Sequence, residues 1–151
     1  MTELNARVAL ENKALALLTF FEPFNEFDQE EKYSILFGLT DPNDRKTFSE
    51  LMVKEFFFDD FYKKIPIETK RILLSVLVDF LRDPNFNFQW LLEEASGTFG
   101  LPSAWSIKNH RQLFEEIYRQ AYGIWKNDLD AVRFVVPALN ELGIDTGDWE
   151  K

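Results

Sequence analysis

The stretch from Ile67 to Leu81, IETKRILLSVLVDFL, constrains the fold more than any other part of the chain. From Ile72 onward only Ser75 and Asp79 are polar, so a helix here has one narrow polar stripe. Other helices must therefore cover most of its circumference. The stretch is too short, and too polar along this stripe, to span a bilayer. We predict an all-α fold in which a hydrophobic helix over residues 67–82 is central.

The length and composition are those of a single domain. The chain has 151 residues, of which 46% are hydrophobic, and no change in composition marks a linker. Turn-forming residues divide the chain into about six to seven helical segments. We therefore predict an irregular helical bundle over residues 1–143, followed by an acidic C-terminal tail over residues 144–151.

A weak internal repeat leaves a second architecture open. Asp-Pro-Asn occurs at residues 41–43 and again at residues 83–85, and apolar helical segments flank both copies. This spacing is typical of HEAT-like helical hairpins. Asp-Pro-Asn is also a good turn between any two helices, so the irregular bundle remains the preferred prediction.

Several helix boundaries are predicted from capping residues and helix breakers. Thr47 opens a capping box, and a clear amphipathic pattern predicts a helix over residues 107–126. Asp128 is then expected to cap a last helix, which Pro137 should kink or interrupt and Gly143 should close.

The chain is acidic, with a formal net charge of −9. The excess acids lie in two regions, at Glu22, Glu26, Asp28, Glu30 and Glu31, and at Glu141, Asp145, Asp148 and Glu150. Such a charge repels nucleic acid and anionic lipid and attracts basic partners. The alternative is that the acids only keep an aromatic-rich protein in solution. We expect no direct nucleic-acid contact and no membrane contact.

The residues that common catalytic sites require are scarce. There are no cysteines and one histidine, His110, which excludes the usual zinc ligand sets and cysteine nucleophiles. The phosphate-loop, dinucleotide-binding and zinc-protease motifs are absent. The N-terminus has charges where a signal peptide is apolar, so we expect a cytoplasmic location. We predict no cofactor and no enzymatic activity.

One enzymatic hypothesis remains, a Mg²⁺-dependent nucleotide phosphohydrolase whose metal site consists of carboxylates alone. The candidate ligands are Glu30, Glu31, Glu93, Glu94, Glu115, Glu116 and Asp128. Adjacent glutamates point about 100° apart on a helix, so each pair supplies one inward ligand at best. The spacing therefore argues against this site.

Two clusters of aromatic and acidic residues are the predicted partner-binding surface. They consist of Phe24, Glu26 and Phe27, and of Phe57, Phe58, Asp59, Asp60 and Tyr62. Consecutive aromatic residues point around the whole helix, so some must face a loop or a partner. Aromatic anchors within a polar rim are typical of protein interfaces. The leading hypothesis is a non-catalytic binding module for a basic protein, acting as an inhibitor, immunity-type antagonist or adaptor. A third hypothesis is a self-associating structural protein, a homo-oligomer formed through exposed rings.

Overall fold

The computed structural model describes residues 13–24, 40–59, 62–95 and 105–144, with the side chains of residues 22–24 and 94–95 left undescribed. These residues form helices and their connections and include no strand, which confirms the all-α prediction. No helix within these ranges has the length and apolar content needed to cross a bilayer. The predicted tail from residue 145 onward lies outside them, so the boundary between domain and tail stays a prediction.

We number the α-helices of the described residues α1 (Arg45–Met52), α2 (Ile67–Leu81) and α3 (His110–Ala131). Shorter helical segments connect them or flank them. Ala16–Phe24, Tyr62–Lys64 and Leu139–Leu142 are 3₁₀-helical, whereas Val53–Phe57 and Trp90–Ala95 are π-helical. Helix α3 packs against both α1 and α2, and α2 also packs against Ala16–Phe24.

Helix α2 is the helix predicted from the apolar stretch. It follows Pro66 and ends before Asp83-Pro84, as expected from a proline at each boundary. Its buried residues are Leu73, Leu74, Val76, Leu77, Val78, Phe80 and Leu81. The polar stripe lies on the other side, with Asp79 bonded to Lys13 at 2.6 Å. Burial of one broad face and exposure of the stripe hold this helix against its neighbours.

Helix α1 begins earlier than the capping box at Thr47 predicts. Asp44 is the N-cap residue, and its carboxylate accepts hydrogen bonds from the backbone N–H groups of Lys46 and Thr47. The predicted start is therefore wrong. Asp44 is able to cap these N–H groups because its backbone is extended immediately before the first helical residue. The helix then widens into the π-helical turn Val53–Phe57.

Helix α3 continues through the position where a new helix was predicted. Asn109 caps its start by accepting the N–H of Gln112, and the helix runs unbroken past Asp128 to Ala131. The predicted break is wrong, because no proline lies near it and a capping residue alone does not end a helix. Lys126 and Asp130 form an ion pair at 2.6 Å across this stretch.

After α3 the chain turns at Val132–Arg133 and then has no regular secondary structure over residues 134–138, the last of which, Ala138, is extended. Pro137 interrupts the predicted last helix completely, leaving the single 3₁₀ turn Leu139–Leu142, which Gly143 closes as predicted. The phenolic oxygen of Tyr118 donates a hydrogen bond to the carbonyl of Pro137 and so fixes this segment against α3.

Aromatic rings join the helices at the core. Phe20 lies 5.2 Å from Phe56, measured between ring centroids, and Phe21 lies 5.3 Å from Phe114. These contacts connect the segment Ala16–Phe24 with the π-helical turn and with α3. Ring pairs at such separations add to the free energy of burial, so the aromatic content serves the core as well as the surface.

Candidate functional site

The second predicted cluster is divided between core and surface. The ring of Phe57 is 2% exposed and lies 5.2 Å from Trp125, whereas Phe58 is 58% exposed. Tyr62 is half-buried, with its ring stacked on Phe56 at 4.9 Å. Phe58 is therefore the ring of this cluster that a partner can reach in the observed conformation.

Charged residues lie close to Phe58 in the sequence. Asp59 accepts the backbone N–H of Tyr62 at its carboxylate (3.4 Å) and the N–H of Lys63 at its carbonyl (2.8 Å). Lys63 and Lys64 are exposed in the 3₁₀ segment Tyr62–Lys64. The surface around Phe58 thus has charges of both signs within the described residues.

The remaining predicted partner-binding residues cannot be placed relative to this surface. Phe24 ends the segment Ala16–Phe24, and its side chain is among those left undescribed. Glu26, Phe27 and Asp60 lie outside the described residues. The prediction that both clusters contact a partner stays a prediction.

The glutamates considered for a metal site have basic or amide partners where their side chains are described. Glu116 is almost fully buried, and its carboxylate lies 2.8 Å from Arg45 Nε, 3.0 Å from Ser49 Oγ and 3.3 Å from Arg119 Nε. This charged network joins α1 to α3. Because both guanidinium groups compensate the carboxylate, Glu116 acts as a structural ion-pair partner in this conformation.

Glu115 and Asp128 contact bases on different sides of α3. Glu115 is paired with Arg111 at 3.4 Å, and burial raises the pKa of Glu115 above its usual value despite this pair. Asp128 lies 3.7 Å from Lys70 Nζ, which also stands over the ring of Trp125. The two carboxylates therefore do not share a site.

Glu93 is bonded to the single histidine. Its carboxylate accepts a hydrogen bond from Gln89 Nε2 at 3.0 Å and lies 2.9 Å from His110 Nε2. The bond from Gln89 and that from His110 lower the pKa of Glu93. The position of His110 in the first turn of a helix predicts an exposed side chain, but this side chain is buried at the start of α3, so that prediction is wrong.

Across the described ranges, no three histidine or acidic side chains come together in a way that could hold a metal ion. Glu30 and Glu31 lie outside these ranges, as does the side chain of Glu94. The hypothesis of a carboxylate-only magnesium site stays untested at those positions.

The charge of the molecule is unevenly distributed along the chain. Over the residues whose side chains the structure describes, acidic and basic side chains are equal in number. The remaining residues therefore carry the whole net charge of −9. The two acidic regions of the sequence, residues 22–31 and 141–150, contain nine acids and no base.

A groove of about 330 Å³ lies between α2 and the segment that follows α3. It is lined by Ser75, Val78, Asp79, Arg82, Phe134, Val135, Pro137 and Glu141. Val135 lies within the predicted last helix, so the groove was not predicted. The sequence Val135-Val136-Pro137 does indicate that the chain leaves the helical conformation here, because the residue before a proline favours extended backbone.

Comparison of the chain with protein-family models, with curated proteins and with solved structures found no match. The functional argument therefore depends on the residues themselves.

Proposed function

We propose that the chain is a non-catalytic binding module for a basic protein partner, acting as an inhibitor, an immunity-type antagonist or an adaptor. The observation that supports it is the separation of charge along the chain. Residues 22–31 contain five acids and residues 141–150 contain four, and neither stretch contains a base, so the surplus of acids lies in two short stretches of the sequence. Concentrated charge of one sign attracts and orients an oppositely charged partner over a long range.

Aromatic side chains beside these acids supply the short-range contacts. Phe24 and Phe27 flank Glu26 in the sequence, and Phe58 precedes Asp59 and Asp60. The 58% exposure of Phe58 leaves apolar surface for a partner to cover. A few buried aromatic anchors usually carry most of the binding free energy of an interface, whereas peripheral charges set its rate and specificity.

The scaffold of this module is one helical domain over residues 1–143, with about six to seven helices grouped around α2. The packing of α2 against both α3 and Ala16–Phe24 supports this arrangement. The proposed location is the cytoplasm, and the proposed partner is a protein rather than nucleic acid or membrane. An acidic antagonist of this kind acts by covering the basic surface of its target.

The test is affinity capture of the tagged protein from its native lysate at low and at high salt, followed by identification of bound proteins. A stoichiometric basic partner that dissociates at high salt is the expected result. The double variant Glu26→Lys, Asp60→Lys should lose that partner, because it reverses one charge in each predicted cluster.

The matched control is the double variant Glu50→Lys, Asp130→Lys, which makes the same change in net charge within the electrically balanced part of the chain. It should keep the partner. Equal losses in both variants would show that net charge alone, and not the two clusters, governs binding. Retention of the partner by both variants would remove the clusters from the proposal.

A further inference from the structure

Apolar side chains in α2 and in residues 132–138, the two parts of the chain that enclose the groove, face solvent. Val135 is 83% exposed, Ile72 is 51% exposed and Val132 is 49% exposed. Val135 lines the groove directly. Ile72 lies three residues before Ser75, a groove residue, and so occupies the same face of α2 one turn away. Val135 and Ile72 therefore expose apolar surface on the two sides of the groove, which water hydrates unfavourably.

Two charged side chains of opposite sign line the same groove. Arg82 lines the groove from the end of α2, and Glu141 lines it from the 3₁₀ turn Leu139–Leu142. Within the described part of the chain neither side chain takes part in an ion pair. The third charged residue of the groove differs, because Asp79 is paired with Lys13.

We propose that this face is the contact surface of a homodimer. In a dimer with a twofold axis each copy presents the same patch, so the patch must be complementary to itself. One unpaired cation and one unpaired anion on the same face meet this requirement. Arg82 pairs with Glu141 of the partner subunit, Glu141 pairs with Arg82 of the partner subunit, and the apolar side chains between them are covered.

Charge complementarity favours a second copy over other occupants. A basic partner meets Arg82 as well as Glu141, and an acidic partner meets Glu141 as well as Arg82, so each brings one repulsive contact. A second copy provides both opposite charges at once. This inference goes beyond the proposed function, since it involves only the chain itself.

The test is sedimentation velocity of the purified full chain over a concentration series, using charge reversals on either side of the groove. Arg82→Glu places two glutamates opposite each other at both contacts, and Glu141→Arg places two arginines there. Each single variant should dissociate about tenfold more readily than the wild type. Neither change should disturb the fold, because both side chains are exposed.

The decisive sample is an equimolar mixture of the two single variants. In a mixed dimer Arg82→Glu faces Glu141→Arg at one contact, and the native Glu141 faces the native Arg82 at the other. Dimerisation should therefore return to nearly the wild-type value, which a pairing within one chain cannot produce. The matched controls are Lys108→Glu and Glu50→Arg, exposed residues that do not line the groove, and they should leave the dimer unchanged.

Three results would overturn the proposal. They are a wild-type chain that stays monomeric at every concentration, a dimer that survives both single reversals, and a mixture that dissociates as readily as the single variants. Because purified protein is used alone, these results do not depend on whether the heterologous basic partner exists.

Discussion

Glu116 is 1% exposed and lies between two guanidinium groups, those of Arg45 and Arg119. Replacing it with glutamine removes the negative charge and leaves both cations without compensation at the junction of α1 and α3. Breaking a buried pair in this way costs about 3 kcal/mol of unfolding free energy. Urea denaturation of Glu116→Gln should show this loss.

Glu115 provides the control for this prediction, since it is the preceding residue on the same helix. Burial raises the pKa of Glu115, so the charged carboxylate is less favourable in the folded protein than in the unfolded chain. Glu115→Gln removes that cost together with one contact to Arg111. It should change the unfolding free energy by less than about 1 kcal/mol. Equal losses in the two variants would mean that the network around Glu116 is not the stabilising element.

The contact between Glu93 and His110 predicts a specific pH dependence. Hydrogen bonds from Gln89 and from His110 hold the pKa of Glu93 below its usual value. Since the unfolded chain has the higher pKa, the associated stability is present above that unfolded pKa and is lost as pH falls through the folded pKa. Unfolding free energies measured down this acid range should fall more steeply for the wild type than for Glu93→Gln. Parallel curves would refute the assignment.

At the scale of elements, two helical segments end in the same way with different residues. After α3, Phe134 N–H donates to the Leu129 carbonyl at 2.9 Å, and Arg133 has a φ of 63°. After Leu139–Leu142, Ile144 N–H donates to the Leu139 carbonyl at 3.0 Å, and Gly143 has a φ of 74°. Both are Schellman ends, in which the left-handed position favours glycine.

The difference between these two ends predicts opposite effects of substitution. Arg133→Gly should raise the unfolding free energy by about 0.5 kcal/mol, because relief of the left-handed strain exceeds the added entropy of the unfolded chain. Gly143→Ala should lower it by about 1 kcal/mol. A Cβ atom at Gly143 would meet nothing within 4 Å, so this cost is purely conformational. Thermal unfolding measures both, and a destabilising Arg133→Gly would contradict the argument.

Helix boundaries were predictable where a residue makes continuation impossible. Pro66 and Pro84 determine the extent of α2, and Pro137 interrupts the last predicted helix. Boundaries based on capping residues alone failed at Thr47 and at Asp128, because several residues near each helix end can serve as caps and the tertiary contacts select among them.

The aromatic residues of the candidate site were also only partly predictable from the sequence. The run from Phe56 to Phe58 requires that at least one ring leaves the core, and this much follows from helix geometry. Which ring it is depends on the π-helical turn Val53–Phe57, whose wider winding turns Phe57 inward and leaves Phe58 outside. No sequence pattern predicted that turn.

At the scale of the whole molecule, the groove could not be predicted because its two walls come from distant parts of the chain. One wall is α2, and the other is the segment after α3 that is held by the bond from Tyr118 to Pro137. Burial raises the pKa of Tyr118, which keeps its hydroxyl protonated and able to donate this bond. The unpaired state of Arg82 and Glu141 follows only from that arrangement.

The concentration of acids in residues 22–31 and 141–150 predicts how the stability of the protein responds to salt. Net charge far from zero opposes the compact state by self-repulsion, and salt screens it as the Debye length falls from about 30 Å at 0.01 M to about 10 Å at 0.1 M. Salt also weakens exposed ion pairs such as Lys13–Asp79, but pairs of this kind contribute less than about 1 kcal/mol each. Repulsion should prevail, so the urea midpoint should rise over this range.

Variants that neutralise acids in different parts of the chain separate the repulsion among acids from the attraction within ion pairs. Glu30→Gln with Glu31→Gln reduces the surplus within the first acidic region, so it should raise stability in 0.01 M salt and flatten the salt response. Glu50→Gln with Asp130→Asn makes the same change in net charge among residues that basic side chains already balance, and Asp130 also loses its pair with Lys126. The stability that this second variant gains in 0.01 M salt should be smaller than that of the first. A wild-type midpoint that falls with salt would show instead that attractive pairs, including the network around Glu116, outweigh the repulsion of the acidic segments.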